Sequence, residues 1–130
     1  IGVGNIGQEM ITRAKAFGMH VVAYSRWMTP DVAAALGIGR ATSIIEVAKL
    51  SDVISVHVAL TPDTNRFLNK TFFEAMRPGA LFINTSRGEV VDQKALLAAI
   101  DSKGIRAGLD VFDDEPEYGE GDYDGPLKNA

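Results

Sequence analysis

Ile1-Gly2-Val3-Gly4-Asn5-Ile6-Gly7 opens the chain, and its reading decides the fold. The glycines have the spacing G-x-G-x-x-G and lead directly into a segment where Ile6, Met10, Ile11, Ala14 and Phe17 form one apolar stripe at helical period. Gly18 suits the left-handed position that ends a helix. An apolar run at 19–24 (MHVVAY) then follows at the distance of a β-α-β unit. In such a unit the first glycine permits a tight turn and the second lets the backbone approach a pyrophosphate. The third lets the helix pack closely on the sheet, and free N–H groups at the helix start attract the anion. Glycines that merely turn the chain need neither the helix nor the second strand. The combination therefore points to Gly2, Gly4 and Gly7 as a dinucleotide-binding turn.

Working outward, apolar runs of strand length recur at 53–60 (VISVHVAL), 80–85 (ALFINT) and 105–112 (IRAGLDVF), with a short edge strand expected at 40–42. The runs are nearly continuous in apolar residues, as strands covered on both faces tend to be. Helical segments alternate with them. Ser43 and Glu46 have capping-box spacing ahead of Val47, Ala48 and Leu50, and Asp92 is placed to cap a helix holding Ala95, Leu96, Leu97 and Ile100. The expected class is α/β, a Rossmann-type doubly wound parallel sheet. The strand before the glycine turn is normally central, yet only Ile1 stands there, so the domain is expected to be truncated at its N-terminus. From Asp113 onward acidic residues, glycine and proline dominate, and a solvated loop or linker is expected.

Composition narrows the partners. The 130 residues are 46% hydrophobic and 23% charged, which suits one globular domain with one core. A net charge of −4 leaves no basic face for nucleic acid. There is no cysteine, which removes thiolate metal sites and disulfides and fits a cytoplasmic protein; no metal is expected. No run approaches the roughly 20 apolar residues of a membrane helix.

NAD-preferring folds carry a carboxylate about twenty residues beyond the glycine turn, where it binds the ribose hydroxyls. Here the strand runs into Tyr24-Ser25-Arg26. Ser25 does not repel a 2′-phosphate and Arg26 can pair with one, so NADP(H) is admissible beside NAD(H); a solvent-pointing Arg26 is the alternative.

Three further segments carry a resemblance: His57-Val58-Ala59-Leu60-Thr61-Pro62-Asp63-Thr64; Met76-Arg77-Pro78-Gly79 leading to Ile83-Asn84-Thr85-Ser86-Arg87-Gly88; and Gly108-Leu109-Asp110-Val111-Phe112 with Glu115-Pro116. Together with the glycine turn, in this order and spacing over essentially the whole chain, they resemble the D-isomer-specific 2-hydroxyacid dehydrogenases. The resemblance implies hydride transfer between NAD or NADP and a D-2-hydroxy or 2-oxo acid. It implies that Arg87 binds the substrate carboxylate and carbonyl, and that Glu115 orients a histidine that serves as acid and base. It further implies that Asp110 lies beside the nicotinamide, Thr85 and Ser86 near its ribose, Val58, Ala59 and Thr64 on the adenosine side, and Asn5 and Ile6 at the pyrophosphate. Ala59 departs from the family, which commonly has proline there.

The family places its catalytic histidine some tens of residues beyond Glu115, so the chain is expected to be truncated at both ends, lacking that histidine and the flanking substrate domain, and inactive alone. His20 and His57 are expected to be packed or hydrogen-bonded rather than catalytic. The resemblance also implies a homodimer. The alternative function is a non-catalytic dinucleotide sensor or corepressor-like module, against which stand Arg87, Asp110 and Glu115.

Overall fold

The computed structural model describes residues 1–113, 115 and 123–128. The elements run α1 (Asn5–Ala16), β1 (Val22–Ala23), α2 (Pro30–Leu36), β2 (Gly39–Arg40), α3 (Ile44–Leu50), β3 (Val53–Val56), α4 (Lys70–Ala75), β4 (Leu81–Asn84), a 3-10 turn (Gly88–Val90), α5 (Gln93–Lys103) and β5 (Arg106–Leu109). β1 pairs in parallel with β2, and β3, β4 and β5 form a parallel sheet in that order. Ile1 and Gly2 join the two sheets. The Gly2 N–H donates to Tyr24 O at 2.9 Å, while Ile1 O accepts from the His57 N–H at 2.8 Å. The order across the molecule is thus β2, β1, the Ile1–Gly2 stub, β3, β4, β5. This is the Rossmann-type order, and the direction of progression reverses at the stub.

Local chemistry sets the helix starts. Thr29, Ser43, Asn69 and Asp92 each accept a hydrogen bond from the backbone three residues on, satisfying one orphan N–H of α2, α3, α4 and α5. Glu46 completes the α3 cap by reaching back to Thr42, whose N–H donates to its carboxylate at 2.6 Å. α2 ends on Gly37 and α5 on Gly104, both left-handed.

Two cores result. The larger joins α3, α4 and α5 to β3 and β4 through Val47, Ile54, Phe72, Phe73, Phe82 and Leu96. Its three phenylalanine rings meet edge to face at 5.2–6.3 Å. The smaller gathers Ile11, Ala23, Met28 and Ala33. Adjacent residues of β1 point into different cores, Val22 to the larger and Ala23 to the smaller, so the two cores lie on opposite faces.

Several sequence expectations need correction. The strands are shorter than their apolar runs: 19–24 yields only Val22–Ala23, 53–60 yields Val53–Val56, 80–85 yields Leu81–Asn84, 105–112 yields Arg106–Leu109, and the edge strand falls at Gly39–Arg40 rather than 40–42. Strand length follows the hydrogen-bonded ladder, which runs over four residues between β3, β4 and β5 and two between β1 and β2. The strands are not covered on both faces. Burial alternates along β3 and β4, Val53 is 46% exposed, and β5 is largely open, because α3, α4 and α5 all lie on one side. The α1 stripe is likewise split. Gly7 and Ile11 are buried, but Ile6, Met10 and Phe17 are exposed, Phe17 at 83%. His20 is exposed and lies outside the strand. The acidic tail is not wholly a linker: Leu127 is buried in the larger core, and Tyr123 packs on Phe112 at 4.5 Å and donates to Gln93. Pro116 and most of that stretch lie outside the described residues.

Candidate functional site

The glycine turn sits at the reversal of strand order, the place where open α/β sheets leave a crevice. Its three glycines do different work. Gly2 has φ of +90°, and a Cβ there would lie 2.4 Å from His57 O. A Cβ on Gly7 would lie 2.3 Å from Gly2 O, so the turn and α1 close on one another only without side chains. Gly4 faces open space. It is also the N-cap of α1 and supplies no side-chain cap, so the N–H groups at the start of α1, at Asn5 and Ile6, keep their donors for another partner. A diphosphate fits this arrangement: uncapped donors, the positive end of a 12-residue helix, and room where a Cβ would have stood.

His57 lies beneath the turn. Its Nε2 is 2.9 Å from Ser55 Oγ, and burial lowers its pKa. It is a packed, hydrogen-bonded histidine. The Ile1 nitrogen donates to Ser55 O at 2.8 Å.

The adenosine-side candidates occupy the ends of β1 and β3. Ser25 is half-buried and Arg26 exposed, with Arg26 Nη1 3.0 Å from Asp63 Oδ2. Val58 is half-buried against the Gly2 turn and Ala59 is exposed. The Thr64 hydroxyl accepts from the Thr61 N–H and donates to Ala59 O, both at 2.7 Å, which folds 59–64 into a compact loop despite alanine at 59.

Arg87 follows β4 in a loop organised by one buried amide. Asn84, 1% exposed, donates through Nδ2 to Arg87 O at 2.8 Å, and its Oδ1 accepts from the Ser86 N–H and hydroxyl at 3.0 and 2.8 Å. Thr85 and Arg87 are exposed, and the Arg87 guanidinium donates to Ser86 O at 2.6 Å. Asn84 was legible only as part of the loop's frame; its burial is what makes it the organiser.

The next strand end meets this loop. The Asp110 N–H donates to Asn84 O at 3.0 Å, and a Cβ on Gly88 would lie 1.9 Å from the Phe112 carbonyl carbon. The Phe112 N–H donates to Glu115 Oε1 at 2.5 Å, and Arg66 pairs with Asp113 at 2.8 Å. The structure therefore brings the loops bearing Arg87, Asp110 and Glu115 together on the same sheet edge as the glycine turn. A cavity of about 380 Å³ between α4 and α5 includes none of these residues. Among the described residues no cluster suited to a metal ion is present, and no helix is long and apolar enough to cross a membrane.

Parallel order, strand reversal and glycine turn define a dinucleotide-binding α/β domain. Residues 1–126 match the family model described as D-isomer specific 2-hydroxyacid dehydrogenase, NAD binding domain, and the chain belongs to that family. It is 40% identical over 117 residues to D-3-phosphoglycerate dehydrogenase of Methanocaldococcus jannaschii, covering 89% of this chain and 22% of that one. Identity to glyoxylate reductase of Thermococcus litoralis is 43% over 121 residues, covering 92% and 36%. Among solved structures, D-lactate dehydrogenase from Aquifex aeolicus complexed with NAD and lactic acid superposes with a TM-score of 0.78 at 40% identity, covering 88% and 34%. The chain thus spans between about a fifth and just over a third of these relatives.

Proposed function

We propose that the protein containing this chain is an oxidoreductase that interconverts a D-2-hydroxy acid and its 2-oxo acid, with residues 1–130 as its dinucleotide-binding domain. The observation that carries the reading is the convergence at Gly88. There the loop bearing Arg87 touches the segment leading to Glu115, at the sheet edge that also carries the turn shaped for a diphosphate.

The cofactor, NAD(H), supplies or takes the hydride when bound. The chain's own residues hold and orient it. Gly4, Asn5 and Ile6 present N–H groups to the pyrophosphate. Ser25, Arg26, Val58, Ala59 and Thr64 line the adenosine half, and Thr85, Ser86 and Asp110 the nicotinamide half. Arg87 offers the planar fork that a 2-oxo acid requires, gripping the carboxylate and polarising the carbonyl oxygen. Glu115 orients and charges a histidine supplied from outside residues 1–130, so this chain alone does not turn over. Alanine at position 59 is compatible with this, because Thr64 folds the loop through main-chain contacts. The absence of cysteine supports the cytoplasm and the family resemblance a homodimer; recovery with membranes would refute the first, and a monomeric mass in sedimentation the second.

The test is Arg87→Gln in the whole protein. NADH affinity is expected to stay within about twofold while kcat/KM for 2-oxo acids falls by roughly a hundredfold or more, the loss of a charge-assisted clamp in the transition state. Failure of glyoxylate, hydroxypyruvate and pyruvate alike to oxidise NADH would sink the proposal.

A further inference from the structure

We infer that Asp63 is a specificity-determining residue for the cofactor: by holding Arg26 it sets the site against a 2′-phosphate and in favour of a free ribose hydroxyl. The inference rests on the reading that the crevice at the glycine turn takes a nicotinamide dinucleotide.

No carboxylate follows β1. Ser25 stands where an acidic residue would accept the ribose hydroxyls, and Arg26 beside it has the charge to attract a phosphate. Left alone, this strand end favours NADP(H). Arg26 is not alone, because its Nη1 lies 3.0 Å from Asp63 Oδ2, 37 residues further along the chain. The pair links the segment after β1 to the loop after β3. Those two segments flank the glycine turn on either side, since Gly2 bonds to Tyr24 O and Ile1 O accepts from His57. The bridge therefore spans the edge of the crevice where the adenosine half would lie.

Asp63 is well placed to do this. It lies between Pro62, which restricts the backbone, and Thr64, whose hydroxyl bonds tie the loop to Ala59 and Thr61. Arg26 also lies 6.0 Å over the Trp27 ring, which limits where the guanidinium can swing. Asp63 thus brings a carboxylate to Arg26, one residue along from the Ser25 that leaves the strand end neutral. It does so from a different loop, which is why spacing along the sequence does not reveal it.

The pair is weak in the way a selectivity device needs. Its side chains are 56% and 76% exposed, so it adds little to stability and can open. A 2′-phosphate must displace the Asp63 carboxylate from Arg26 and then sit beside that negative charge. A ribose hydroxyl donates to it instead. Like charges at such range discriminate against the wrong ligand more than they strengthen the right one.

The experiment compares adenosine 5′-monophosphate with adenosine 2′,5′-bisphosphate by calorimetric titration, probes that differ only in the 2′-phosphate. Asp63→Asn keeps the size and removes the charge. It is expected to tighten the bisphosphate about tenfold relative to the monophosphate, with the gain shrinking as salt is raised. Arg26→Gln should abolish that gain, so that Asp63→Asn in the Arg26→Gln background leaves the ratio nearly unchanged. An unaltered ratio in Asp63→Asn alone would overturn the inference. If neither nucleotide binds the unsubstituted protein, the dinucleotide reading fails first and takes this one with it.

Discussion

Gly4 and Gly2 have the same side chain and opposite sensitivities. A methyl group on Gly4 meets nothing within 4 Å in the protein, whereas one on Gly2 strikes the His57 carbonyl at a backbone φ that other residues resist. Gly4→Ala is therefore expected to fold with a melting temperature close to that of the parent while NADH affinity falls at least tenfold, because the methyl occupies the space left for the diphosphate. Gly2→Ala should instead unfold the turn. Thermal melts paired with titrations separate the two; an unchanged affinity in Gly4→Ala would remove the diphosphate from this turn.

At the scale of elements, the site is an agreement between loops rather than a property of any strand. Asn84 fixes the loop after β4, and Asp110 begins the loop after β5 by donating to the Asn84 carbonyl. Gly88 permits the contact between them. Its replacement by alanine must push back the Phe112 backbone, since no rotamer relieves a clash with main chain. Such overpacking costs on the order of 1–3 kcal/mol. Gly88→Ala is thus expected to lower stability by that amount in denaturant melts and also to shift the Arg87 loop against the segment leading to Glu115, reducing kcat/KM in the whole protein beyond any loss explained by unfolding. Full activity at reduced stability would show that the two loops need not touch.

Over the whole molecule the two half-sheets meet at Ile1 and Gly2, and His57, packed beneath them, gives the fold a pH dependence. Burial lowers the His57 pKa from 6.5. The imidazole binds its proton more weakly folded than unfolded, so unfolding takes up a proton and acid favours it. The stabilisation is complete above about pH 6.5 and is lost as pH falls below that value. Urea midpoints are expected to drop between about pH 7.5 and 5.5, and to drop less in His57→Gln; equal drops in both would remove His57 from this role.

The glycine turn and the caps at Ser43 and Asp92 were legible in the sequence, because each depends on residues within a turn or two of one another. The α/β class and the family were legible because such local signals recur in a fixed order along the chain. Tertiary structure decided the rest. Strand lengths were overestimated because a hydrogen-bond ladder stops where its partner stops, not where apolar residues do. Ile6, Met10 and Phe17 share a helical stripe, yet burial requires an opposing surface and α1 finds one only at Gly7 and Ile11. Leu127 and Tyr123 joined the core from an acidic stretch that composition assigns to solvent. Asp63 came to Arg26 across 37 residues, a pairing that no local spacing encodes. Local chemistry writes turns, caps and periods into a chain, while charge pairing and burial belong to distances that exist only once it has folded.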